Sequence, residues 1–182
     1  MKLDSLAALL REYQGILGAL LGVLLTLIAT SLLRFAGKTS CHTTKWSLHM
    51  SQPGGDAKTI EQADMLGYAL EVDLFNPSDV PRGLRSFAVT IEASRGDAVA
   101  TEQPYDSETR HEIAEGWSFT ECDPVRIVNL SPHSFRPLSL EGSVLRKKHP
   151  SLFKPGSYVV TLTAAGPRGR KAKWVVARVT FD

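Results

Sequence analysis

The stretch GYALEVDLF, Gly67 to Phe75, decides the fold. Tyr68, Leu70, Val72 and Leu74 alternate with Glu71 and Asp73, so an extended chain carries its apolar side chains on one face and its acids on the other. The same period of two recurs along the chain. LRSFAVTIEA sets Phe87, Val89 and Ile91 in phase, PLSLEGSV offers Leu138 and Leu140, and KWSLHMS aligns Trp46, Leu48 and Met50. RIVNL is read with Ile127 facing the core, in phase with Val125 before it and Asn129 after. SYVVTLTAA and KWVVARVTF, joined by GPRGRKA, predict a terminal hairpin with a wide basic turn. About seven strands broken by Asn-Pro, Pro-Arg-Gly, Asp-Pro and Ser-Pro turns match an immunoglobulin-like antiparallel β-sandwich. Short helical pieces are expected at Thr59–Leu66 and around Pro150. The polar, acidic span from Ser94 to Trp117 reads as a long loop.

Upstream of the strands, Tyr13 to Leu33 is a run of 21 residues without a formal charge. At about 1.5 Å per residue it reaches roughly 30 Å, the thickness of a bilayer's hydrocarbon core. The predicted division is therefore a leader at 1–12, a transmembrane helix at 13–35, a juxtamembrane connector at 36–44 and the sandwich at 45–182. A cleaved signal peptide is the rival reading, since Ala29 and Ser31 resemble a cleavage site. Against it stand Leu32 and Leu33, which prolong the apolar run, and a leader that mixes Asp4 and Glu12 with Lys2 and Arg11. In that leader Leu3, Leu6, Ala7 and Leu10 fall on one side of a helix, as an interfacial turn would require. Lys2 and Arg11 precede the span while Arg34, Lys38 and Lys45 follow it, a margin of one toward a cytoplasmic domain.

Gly18 and Gly22 form a GxxxG step, and Gly15 with Ala19 repeats the spacing, so this face could seat a second helix in a homodimer. The plainer account, that small residues are common in membrane helices, weighs more. Cys41 and Cys122 are compatible with one disulfide outside the cell or two thiols inside it. The sequon Asn129-Leu130-Ser131 is followed by Pro132 and argues little for export.

Lys45-Trp46, VDLFNPSDVPRGLRSFAVTI, PYDSETR and VNLSPHSFRPLSLEG together resemble uncharacterised single-pass membrane proteins of Gram-positive bacteria with a C-terminal β-rich domain. The resemblance implies an anchored β-rich domain on the inner side of the membrane and no particular chemistry. Read without it, LFNPSDVPRG is a structural loop: Asn76-Pro77 and Val80-Pro81 restrict the backbone, Ser78 and Asp79 cap the turn, and Gly83 lends freedom to re-enter a strand. PYDSETR is read as an Asx-type turn or a local ion pair.

Catalytic signals are thin. His42, His49, His111, His133 and His149 share no ligand spacing, and a zinc site from Cys41, His42 and Cys122 requires the fold to join distant segments. Glu121 and Asp123 beside Cys122 discourage a reactive thiolate. Residues 56–123 carry fifteen acids against five bases, whereas residues 124–182 carry eleven bases against two acids. Interleaved strands would turn part of that asymmetry into internal pairing. Where it survives, Arg146, Lys147, Lys148, Arg168, Arg170, Lys171 and Lys173 form a basic patch for anionic lipid or a protein partner. Nucleic acid ranks last, for want of interleaved aromatics. The expected function is a membrane-anchored, non-enzymatic interaction module without a cofactor. The alternative is a hydrolase or metal-dependent enzyme using the acidic loop 95–123, which would need Asp106, Glu108, His111 and Cys122 to converge.

Overall fold

The computed structural model describes residues 13–34, 36–96, 98–114 and 117–181, the side chains of 112–114, 117–120 and 168 excepted. The expected interfacial turn at residues 3–10 lies outside them. Among the described residues one helix, α1 (Gln14–Arg34), precedes the strands, exposed on every side and long and apolar enough to cross a membrane. Thr26 and Thr30 satisfy their hydroxyls on the carbonyls of Gly22 and Thr26, so neither needs water along its length. Gly15, Gly18 and Gly22 share an open face, with nothing near the position of a Cβ.

Two antiparallel sheets follow. One orders β2 (Gly55–Asp56), β1 (Ser40–Gln52), β3 (Met65–Asn76), β9 (Ser134–Leu145), β6 (Tyr105–Ala114) and β7 (Trp117–Pro124). The other orders β11 (Lys171–Phe181), β10 (Gly156–Ala165), β4 (Arg82–Ala93) and β5 (Val99–Glu102), with β8 (Ile127–Leu130) pairing the first half of β4. The chain is therefore the expected mainly β, immunoglobulin-like sandwich. Its core takes Leu66, Tyr68, Leu70, Val72 and Leu74 from β3, with Leu138 and Leu140 from β9. From the facing sheet come Phe87, Val89 and Ile91, with Val160 and Leu162 of β10.

Several local expectations are corrected. The first strand starts at Ser40, inside the expected connector, because Cys41 and Thr43 already pair with Leu74 and Val72. An extra residue, Thr44, then shifts the register so that Trp46, Leu48 and Met50 sit opposite Leu70, Tyr68 and Leu66. In β8 the phase is reversed: Val128 and Leu130 are buried and Ile127 is 67% exposed. The reason is that β8 registers Val128 against the buried Leu84, while Val125 belongs to the preceding connection. The span from Ser94 to Trp117 is largely strand, comprising β5 and β6. From Tyr105 to His111, β6 offers no buried side chain, which is why no apolar alternation announced it. Thr59–Leu66 makes a single turn before β3 begins, with Thr59 O accepting from the amides of Gln62 and Ala63. Pro150–Leu152 is a 3-10 turn.

Between β3 and β4 the loop is structural, with different residues in charge. Asn76, fully buried, donates its amide to the carbonyls of Val80 (2.8 Å), Ser131 (3.1 Å) and Leu130 (3.3 Å). Its Oδ1 accepts from the amide and the hydroxyl of Ser78, whose Oγ in turn accepts from Arg82 Nε. Asp79 instead binds His133 at 2.6 Å, and Gly83 lies within β4 without a positive φ. Ser86 takes the left-handed conformation, φ 53°, and this kink lets both Leu84 and Phe87 face the core. Replacing Asn76 with Ala strands several backbone groups at once and is expected to cost about 3 kcal/mol or more in denaturant unfolding. A cost below about 1 kcal/mol would show that the knot does not hold the two sheets together.

Candidate functional site

A concavity of about 670 Å³ opens where the β6–β7 hairpin leaves the first sheet. β6 pairs with β9 only at Tyr105–Glu141 and Asp106–Leu140. It then bulges: four residues, Ser107 to Arg110, stand opposite Cys122 alone. Asp106 shapes this bulge, its carboxylate accepting from the Glu108 amide at 3.0 Å and its carbonyl from the Thr109 hydroxyl at 2.7 Å. That is the Asx-type turn expected of PYDSETR. Beyond Glu141 the edge of β9 has no strand partner on the β6 side among the described residues.

The cleft is built on two glycines. A Cβ on Gly67 would overlap the His49 ring, and one on Gly142 would overlap the Tyr68 phenol. Each ring lies over the glycine directly across from it, since His49 registers with Gly67 and Tyr68 with Gly142. Glycine inside a strand marks such a close approach, the one signal by which the sequence marks this site.

The polar groups are mostly paired with one another. Arg110 donates to Glu141 Oε2 at 2.6 Å, and Cys122 Sγ donates to Glu141 Oε1 at 2.9 Å. His149 stands 3.4 Å from Glu102. Among the buried polar groups Tyr68 is the exception, 1% exposed and with a hydroxyl that has no hydrogen-bond partner. Burial pushes its phenol well above the ordinary tyrosine range, and the Glu102 carboxylate adds to the shift. It remains a proton donor with nothing to donate to.

This arrangement does not suit nucleophilic catalysis. The hydrogen bond to Glu141, followed by burial, raises the Cys122 thiol above its usual value, so it stays protonated. Cys41 is pushed up to about 12 by burial and then by Asp73. Both cysteines are free. The groups required by the enzymatic alternative do not converge: Cys122 faces the cleft, Glu108 is exposed on the bulge and does not line the cleft, and Asp106 and His111 are spent on the bulge backbone, His111 at 3.0 Å from Thr109 O. Cys41 and His42 lie on β1, with β3, β9 and β6 between them and Cys122 on β7. Among the described residues no three His, Cys, Asp or Glu side chains gather as a metal site would require.

The expected basic patch is divided. Arg146 is a clamp, donating to Ala63 O (2.6 Å) and Ile60 O (2.7 Å) with its guanidinium carbon 4.9 Å from the centre of the Phe153 ring. Lys147 and Lys148 follow it at the Met65 end of the sandwich, and Lys148 borders the cleft. Arg168, Arg170, Lys171 and Lys173 belong to the β10–β11 turn at the opposite end. Interleaving of strands dispersed what looked continuous in sequence.

Residues 47–175 match the family described as the YopI Ig-like domain. An SPbeta prophage-derived uncharacterised protein YopI of Bacillus subtilis (strain 168) is 22% identical over 118 residues, covering 62% of this chain and 66% of that protein, so just under two thirds of the relative is spanned. Among solved structures, a protein from Archaeoglobus fulgidus overlaps with 10% identity, 75% of this chain, 98% of that chain and a TM-score of 0.37. A candidate ApaA protein of Bordetella pertussis gives 11%, 80%, 95% and 0.38. Overlaps this loose bear on neither fold nor function.

Exchanging Tyr68 for Phe removes an unsatisfied donor while keeping the ring. It is expected to stabilise the free protein by about 1 kcal/mol, a rise in Tm of about 2–4 °C for a domain of this size. A fall of similar size would mean that the hydroxyl is already bonded in solution.

Proposed function

Because the chain belongs to the YopI Ig-like domain family, we propose that it is a non-enzymatic interaction module, held at a membrane by α1, that engages a partner protein through the cleft under the β6–β7 hairpin. The orphan Tyr68 hydroxyl carries this reading. A buried donor left unpaired costs about 1–3 kcal/mol, which an acceptor supplied by a partner would recover. The unpaired edge of β9 from Gly142 to Leu145 suits an extended segment of the partner, whose carbonyls accept hydrogen bonds. A family of immunoglobulin-like domains and a relative without assigned chemistry speak against catalysis. The protonated, carboxylate-bound Cys122 supports the same view.

Membrane anchoring rests on the length and apolarity of α1 and on an apolar run that continues past any cleavage-like site. The Bacillus relative's name describes a prophage protein, and a mobile-element setting for this chain forms part of the proposal.

The test uses the full chain in cells, with a photo-crosslinking residue at Lys148 on the rim of the cleft or at Arg178 on β11, which belongs to the other sheet. The chain is expected to stay in the membrane pellet after carbonate washing. Lys148 should give a discrete protein adduct that Arg178 does not give and that Tyr68→Phe reduces severalfold. Equal adducts from both positions, or adducts indifferent to Tyr68→Phe, would contradict recognition by the cleft; release from the pellet would contradict the anchor.

A further inference from the structure

Charge in this domain is sorted along the length of the sandwich. The chain enters the first sheet at Ser40, opposite Phe75, and β3 leaves for β4 at that same end through Asn76. The β10–β11 turn lies there too. Its flanks pair Ala165 with Lys171 and with Arg85 of β4, and Trp174 Nε1 donates to Thr39 O at 3.2 Å. The 3-10 turn Pro167–Gly169 and its basic neighbours therefore stand at the end where α1 arrives.

Arg34, Lys38, Arg85, Arg170, Lys171 and Lys173 are all exposed at this end, and none of them forms an ion pair among the described residues. Its acids are few. Asp73 is half-buried and Asp79 is held by His133. The Met65 end instead mixes Asp56, Glu61 and Asp64 with Lys147 and Lys148.

From Arg34 to Ser40 the chain reaches at most about 20 Å, so this basic end cannot move far from the end of the helix. We propose that it is a docking surface for the anionic phospholipid headgroups of the bilayer that holds α1. The inference rests on the membrane-held reading above and adds the surface that faces the lipid. Each lysine or arginine near an anionic leaflet favours contact by about fivefold, and the tether supplies the proximity that a free domain would lack. Docking fixes the domain upright, with the Met65 end and the rim of the cleft turned away from the membrane.

The full chain is reconstituted into nanodiscs of phosphatidylcholine alone and of phosphatidylcholine mixed with phosphatidylglycerol, and amide hydrogen exchange is followed in residues 166–173. On the anionic discs these amides should exchange more slowly by about tenfold or more. Added salt and the triple change Arg170→Glu, Lys171→Glu, Lys173→Glu should remove the protection, whereas Lys147→Glu with Lys148→Glu should leave it. Equal exchange on both discs overturns the proposal, and the wild-type comparison decides this whatever the variants do to folding. Protection by inorganic phosphate on neutral discs overturns it in favour of an anion site. A chain that fails to enter either disc refutes the anchor and the docking together.

Discussion

Buried Asn76 is the constraint on which the architecture depends. One side chain at the end of β3 reaches the carbonyl of Leu130 on β8, and so ties the first sheet to the second at the point where the chain passes between them. The same amide and its oxygen bind Val80 and Ser78, closing the loop that delivers β4. Hydrophobic burial packs the two faces but does not choose where they meet along their length. A buried amide with every partner in place does choose, because each lost bond would leave a polar group in the core. The position of the β10–β11 turn relative to Ser40 follows from that choice, through β4 and β10.

Much of this was legible in residues 67–75. The alternation in β3 reads correctly because β3 lies between β1 and β9, with one face packed on the core and the other toward solvent, the condition under which a period of two is clean. Failures occurred where a bulge or a neighbour reset the phase. Ser86 reverses the pattern within β4, and Leu84 then dictates the face of β8, so Ile127 emerges on the outside. No local property of RIVNL carries that information. Strand β6 escaped for a different reason, since from Tyr105 to His111 it buries no side chain and so displays no apolar periodicity.

The cleft was less legible than the fold. Gly67 and Gly142 are ordinary letters until their partners His49 and Tyr68 are known, and those partners lie in other strands. Tyr68 itself read as a core residue, which it is; only the structure shows its hydroxyl without a partner. The basic patch failed in the instructive direction. Seven basic residues close in sequence divide between an internal clamp at Arg146, the cleft end of the sandwich and the helix end, because β10 runs the length of the domain before the hairpin turns. Arg85, far from that hairpin in sequence, joins it in space.

A polarised module emerges, basic toward the helix and open at the cleft. Its central claim is geometric, that the β10–β11 turn lies beside the entry of the chain and Lys148 lies far from it. The direct measurement is a pair of spin-label distances in the full chain, from Lys38 to Gly169 and from Lys38 to Lys148. Since β1 spans thirteen residues, about 40 Å at strand rise, the first distance should be much the shorter. Equal distances, or a shorter one to Lys148, would contradict the spatial order on which both the docking surface and the exposed cleft depend.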